Sequence, residues 1–203
     1  MLAKAISKIF TEKPGSYVGS ADHLVSQAFY FEDPDQNGVE LYFDRPRSEW
    51  EYDEDGKIIM GTERLDEEEF ISDNINTEEA NAGYIRDGHF HLKGGSINEA
   101  KKFYSDSLIF EIKSEMPSAL FISRDGYHHH IAINTWESLG AGKRTPNTVG
   151  MKSFTINYKD KKIFNQVLEN LQKNNFKTTE ITDSKFSAED PWGSLVYIKY
   201  SES

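Results

Sequence analysis

The sequence predicts an α+β chain built from repeats of one unit: a strand, a helix and three further strands, βαβββ. Three observations carry this reading. Two amphipathic helical stripes open on side-chain caps about 64 residues apart. Each stripe follows one strand pattern and precedes three, and the turn aspartates Asp125 and Asp190 keep about the same offset. With 203 residues, 37% of them hydrophobic and 13% aromatic, the chain can fill such units, whereas disordered chains are poor in aromatics.

The first copy is incomplete. Leu2, Ala5, Ile6, Ile9 and Phe10 form a helical stripe that stops at Pro14 and Gly15. Residues 28–32, the turn Asp33 to Gly38, and residues 39–44 then read as a hairpin. Met1 opens directly into the helix, so the expected opening strand is absent. In the second copy, residues 88–93 read as a strand, and Ser96 with Glu99 makes a capping box before Ile97, Ala100, Phe103, Tyr104 and Leu108. Residues 110–113 and 119–123 read as strands, Arg124-Asp125-Gly126 as a hairpin turn, and residues 127–136 as a longer strand. The third copy has a strand over 151–157 and a helix from Asp160 with Ile163, Phe164, Val167, Leu168 and Leu171 on one face. Strands over 176–181 and 185–188, the turn Asp190-Pro191-Trp192-Gly193, and a strand over 195–200 complete it.

Composition removes several function classes. There is no cysteine, so disulfides, thiolate zinc sites and a cysteine nucleophile are excluded. No apolar run is long enough for a membrane span, and Lys4 and Lys8 interrupt the apolar start, which argues against a secretory signal. A cytoplasmic enzyme or binding protein is the expectation. The net charge is −11, and twelve Asp and Glu face only Lys57 and Arg64 within residues 51–82. That stretch reads as a solvated acidic linker or helix face. Without a basic stripe to neutralise phosphates, nucleic acid is not an expected partner.

The repeats, together with His-Leu-Val-Ser-Gln-Ala-Phe-Tyr-Phe-Glu-Asp-Pro-Asp-Gln-Asn-Gly-Val-Glu from His23, resemble the vicinal oxygen chelate superfamily of glyoxalases, bleomycin-resistance proteins and extradiol dioxygenases. Residues 40–50, 88–93 and the His triplet running into Asn-Thr-Trp at 134–136 look like the two-domain catechol 2,3-dioxygenase group. The resemblance implies paired modules with cupped mixed sheets. It divides the chain into an incomplete second module of an N-terminal domain (1–50), an acidic linker (51–84) and a complete C-terminal domain of two modules (85–203). Four modules are implied where two and a half are visible, so the first module and the opening strand of the second would lie outside this sequence or come from another chain, with a homodimer as the simplest arrangement.

The resemblance also implies a divalent metal in the cup, Fe(II) first, with Zn, Mn or Ni as the other candidates, and a small aromatic or oxygen-chelating ligand. Glu40 stands at the glutamate ligand position, and His23 and Tyr30 match the acid/base histidine and tyrosine of the extradiol signature. Gln36 and Ala21 depart from that signature. His89 holds the first-strand ligand position, and laying residues 40–44 beside 130–134 puts His130 at the position of Glu40. Alternation turns His91 and His128 inward as supporting residues and His129 outward. Tyr197 and Ser153 occupy the two remaining ligand positions. On the residues alone, Glu40 reads equally as a carboxylate at a solvent-facing strand edge, His23 as a loop-end histidine hydrogen-bonded to backbone, and the histidines from His89 onward as a hydrogen-bonded polar network. The function implied is extradiol cleavage of a catecholic ring by a truncated form. A glyoxalase-like isomerase or lyase, a ligand-sequestering protein of the bleomycin-resistance type and an inactive relative are the alternatives.

Overall fold

The computed structural model describes residues 2–76 and 87–202, and the chain divides into two units, Met1–Asp87 and Gly88–Ser203. Residues 77–84 of the acidic stretch, and residues 85 and 86 beyond them, lie outside the described residues.

Unit 1 runs α1 (Leu2–Glu12), β1 (Tyr17–Asp22), β2 (Ser26–Glu32), β3 (Gly38–Asp44) and α2 (Glu67–Asn74). The three strands form an antiparallel sheet in the order β1-β2-β3. One face of the sheet packs on the helices through Ala3, Ile6, Phe29, Phe31, Leu65 and Phe70, and the Phe10 ring lies 4.9 Å from Tyr17 and 6.2 Å from Phe29. The helical stripe is rotated slightly from expectation, because Ala3 is buried beside Ile6. Strand β1 has no local signal in the sequence: Tyr-Val-Gly-Ser-Ala-Asp lacks clean alternation and is held by pairing with β2. The described part of the acidic stretch folds back onto unit 1. Asp66 caps α2 by accepting from the Glu69 amide at 3.0 Å, Phe70 enters the core, and the Glu67 carboxylate accepts from the Tyr17 and Ser20 hydroxyls. Three glutamates in the first turn of α2 suit the positive end of its dipole.

Unit 2 holds two complete βαβββ modules. The first runs β4 (Phe90–Lys93), α3 (Ile97–Ala100, continuing as π-helical turns over Lys101–Ser107), β5 (Glu111–Met116), β6 (Ala119–Ser123) and β7 (Ile131–Asn134). The second runs β8 (Ser153–Tyr158), α4 (Lys161–Lys173), β9 (Thr178–Thr182), β10 (Lys185–Glu189) and β11 (Leu195–Tyr200). The sheet orders are β4-β7-β6-β5 and β8-β11-β10-β9. In each, the first strand pairs parallel with the last, which is why a helical crossover must separate them. Ser96 caps α3 and Asp160 caps α4, as the sequence predicts. Positive φ at Asp125 and Gly126 (62° and 68°) makes the expected tight turn.

The expected long strand over 127–136 shrinks to Ile131–Asn134. The pairing of β6 with β7 starts at Ile122 and Ile131; the His130 amide still donates to the Ile122 carbonyl at 2.9 Å, while residues 127–129 lie outside the ladder with their rings packed on one another. In unit 1, by contrast, no described strand lies along the outer side of β3. Val39 and Phe43 there are 42% and 37% exposed, whereas Ile131 and Ile133 of β7, covered by β4, are at 2% and 0%.

The two modules of unit 2 share one core, which includes Phe103, Tyr104, Ile133, Phe154, Val167 and Ile198. Polar bonds also join them. Tyr104 Oη donates to Asp190 Oδ2 at 2.9 Å, and Tyr158 Oη donates to the Leu108 carbonyl at 2.6 Å. Asp190 Oδ1 accepts from the amides of Trp192 and Ser194. Gly94 is required by close approach, since a Cβ there would sit 2.8 Å from Ile133 Cγ2 and from Trp192 Cη2; at Gly95 it would meet the Ala141 carbonyl oxygen at 1.9 Å. No described helix is long and apolar enough to cross a membrane.

Candidate functional site

In unit 1 the antiparallel register of β2 and β3 sets Tyr30 directly opposite Glu40, on the face away from α1. His23 sits on the turn between β1 and β2. That turn is fixed by Leu24 at φ 69°, by the Asp22 carboxylate accepting the Leu24 amide at 2.9 Å, and by an ion pair between Asp22 and Arg45. His23 Nε2 lies 2.5 Å from Tyr30 Oη, and Tyr30 Oη lies 3.4 Å from Glu40 Oε1. The structure therefore brings His23, Tyr30 and Glu40 into one contiguous row. Burial, and then the neighbouring Glu40 charge, push the Tyr30 hydroxyl well above the usual tyrosine range, so it stays a neutral donor.

Sequence reasoning missed one member of this site. The His23 Nδ1 is 2.8 Å from the carbonyl oxygen of Gly61, and the Gly61 amide donates back to the His23 carbonyl at 3.3 Å. Nothing local in the sequence marks Gly61, because it acts through its backbone from within the acidic stretch.

In unit 2 the histidines group differently from expectation. His89 lies 4.1 Å from His129 and 5.9 Å from His128, ring centroid to centroid, and the Nδ1 atoms of His128 and His129 are 2.7 Å apart. His128 is fully buried with the Tyr127 ring 4.1 Å away. His130 meets this group only through the Tyr127 ring at 5.0 Å; its Nδ1 accepts from the Arg124 amide at 3.2 Å and lies 3.0 Å from Ser123 Oγ. His91 is exposed, with Trp136 at 5.2 Å and Phe121 at 6.1 Å. His129, assigned outward by alternation, is the ring nearest His89. Alternation does not apply before Ile131, where the ladder begins.

Among the described residues no group of three His, Asp or Glu side chains is gathered to hold a metal ion. Glu40 is in unit 1, His89 and His130 are in unit 2, and His130 Nδ1 is occupied by a backbone donor. The residues described therefore do not complete a centre for the divalent ion that this kind of fold implies.

Repeated βαβββ modules with parallel first and last strands are the arrangement that the resemblance to the vicinal oxygen chelate superfamily implies. In sequence it is similar to catechol-2,3-dioxygenase of Bacillus subtilis (strain 168), with 37% identity over 182 residues, 87% of this chain and 63% of that protein. The chain thus spans 63% of the length of this relative. No family model matches the chain. Solved structures similar to part of it include a glyoxalase-related enzyme from Fulvimarina pelagi (TM-score 0.45, 15% identity, 58% of this chain and 89% of that one). A lactoylglutathione lyase from Agrobacterium tumefaciens is another (TM-score 0.43, 14% identity, 59% and 96%).

Proposed function

We propose that the protein serves extradiol-type ring cleavage of a catecholic compound, and that His23, Tyr30 and Glu40 form the acid/base side of its site. The observation that supports this is the contiguous row from His23 Nε2 through Tyr30 Oη to Glu40. A catechol reacts with oxygen once a diol proton has been removed. His23 Nε2, which faces Tyr30 on this side of the sheet, is placed to take that proton. Tyr30, held protonated, has one hydrogen to give; on binding it passes from His23 Nε2 to the ligand oxygen, which orients the ligand and frees the Nε2 lone pair. Glu40 supplies an anion beside the row. A divalent ion, with Fe(II) as first candidate, would supply charge stabilisation for the diolate when bound, but its ligands beyond Glu40 are not gathered among the described residues, and no step is drawn through it.

The same reading takes residues 1–50 as an incomplete module and 85–203 as a complete paired domain, in a cytoplasmic homodimer. Light scattering that finds a monodisperse monomer at micromolar concentration would count against the dimer.

The proton-transfer role is tested without metal, with 4-nitrocatechol, whose absorption changes on ionisation. At a pH where the free compound is mostly protonated, binding should shift its spectrum to the ionised form, and His23→Ala should abolish the shift. Binding with no spectral change would overturn the acid/base assignment and favour a ligand-sequestering role.

A further inference from the structure

We infer that the backbone of Gly61 is a positioning element of this site, committing His23 to the Nδ1–H form so that the Nε2 lone pair faces Tyr30. The inference rests on the acid/base reading above and adds what makes that reading chemically possible. A neutral imidazole carries one proton on one of its two nitrogens, and the partner of each nitrogen decides which. A carbonyl oxygen can only accept. With Gly61 O at 2.8 Å from His23 Nδ1, the proton must be on Nδ1. Nε2 is then an acceptor, and Tyr30 Oη at 2.5 Å donates to it.

This inverts the preference of free histidine, whose neutral ring in water favours the Nε2–H form. In that form His23 would turn an N–H toward Tyr30 and could take no proton there. Gly61 is well placed to enforce the choice. It lies 38 residues from His23, yet its amide also donates to the His23 carbonyl, and two further backbone bonds, between Asp22 and Glu63 at 3.0 and 2.8 Å, clamp the same stretch. A Cβ at position 61 would lie 3.1 Å from Leu24 Cδ1, so the segment also rests on the turn that carries His23. An oriented outer partner that fixes a histidine tautomer is a recurring device where the other nitrogen must act.

The test is the nitrogen spectrum of the ¹⁵N-histidine-labelled 203-residue chain at about pH 8, above the ordinary His value, with His23→Ala assigning the signal. His23 should show a protonated Nδ1 and an unprotonated Nε2. Tyr30→Phe should keep that pattern, because Gly61 and not Tyr30 sets it; Gly61→Ala should keep it too. Gly61→Pro removes the amide that anchors the segment and should raise the Nε2–H share. An Nε2–H ring in the wild-type chain, a reversal in Tyr30→Phe, or an unchanged spectrum in folded Gly61→Pro would overturn the inference. If Gly61→Pro does not fold, the wild-type and Tyr30→Phe spectra still decide. No catechol is present, so an Nδ1–H ring in a chain that fails to ionise 4-nitrocatechol would overturn the functional reading alone.

Discussion

Tyr104 shows how much one hydroxyl can carry. It is fully buried and donates to Asp190, itself only 4% exposed. Tyr104→Phe would leave Asp190 Oδ2 short of a partner in the core, a loss of about 1–3 kcal/mol, measurable as a lower urea midpoint with an unchanged slope. Burial, and then the Asp190 charge, push the Tyr104 hydroxyl well above its ordinary value of 10.0, and burial raises Tyr158 as well. Above that value the unfolded chain releases protons that the native state keeps, so stability is full below it and declines as pH rises further. Urea titrations at increasing alkaline pH should show this fall, and Tyr104→Phe should make it shallower. Among the histidines, His128→Ala should destabilise more than His129→Ala, by about 2 kcal/mol or more, because only His128 is fully buried. Comparative denaturant melts decide it.

At the level of elements, the two long-range repeats begin on caps of unequal quality. Asp160 accepts from two amides, at 2.7 and 3.3 Å, whereas Ser96 accepts from one at 3.4 Å. Asp160→Ala should therefore cost more than Ser96→Ala within the usual range of about 0.5–2 kcal/mol, read from melting of each variant. The elements legible in the sequence were those with local signals: the caps, the Asp125-Gly126 turn, the amphipathic face of α4 and the 195–200 strand. Those that were not depend on distant partners. Strand β1 exists through its pairing with β2, α2 through Phe70 entering a core made by other elements, and the 127–129 segment through ring packing that ends a ladder early. The site divides the same way. His23, Tyr30 and Glu40 stood in one motif and do meet, but Gly61 acts through a main-chain oxygen that has no residue-type signature, and His129 was assigned by a strand periodicity that does not hold there.

Across the whole molecule, the two units have cores of very different extent. That of unit 1 rests on a small set of side chains around Phe29 and Phe70, while that of unit 2 spans two modules. Unfolding should occur in two steps, unit 1 first. Buried Trp50 reports on unit 1 and buried Trp192 on unit 2, so Trp50→Phe should remove the fluorescence change of the earlier step; a single coincident transition for both probes would contradict this. Within unit 2, the bonds from Tyr104 to Asp190 and from Tyr158 to Leu108, with Trp192 lying against Gly94, have a consequence for recombination. Two halves that share one topology are not interchangeable parts. A crossover joining residues before about 140 to a foreign second half would bring in a turn that need not carry an aspartate for Tyr104 or an indole shaped to a bare glycine. Hybrid genes should yield folded product only when both halves travel together.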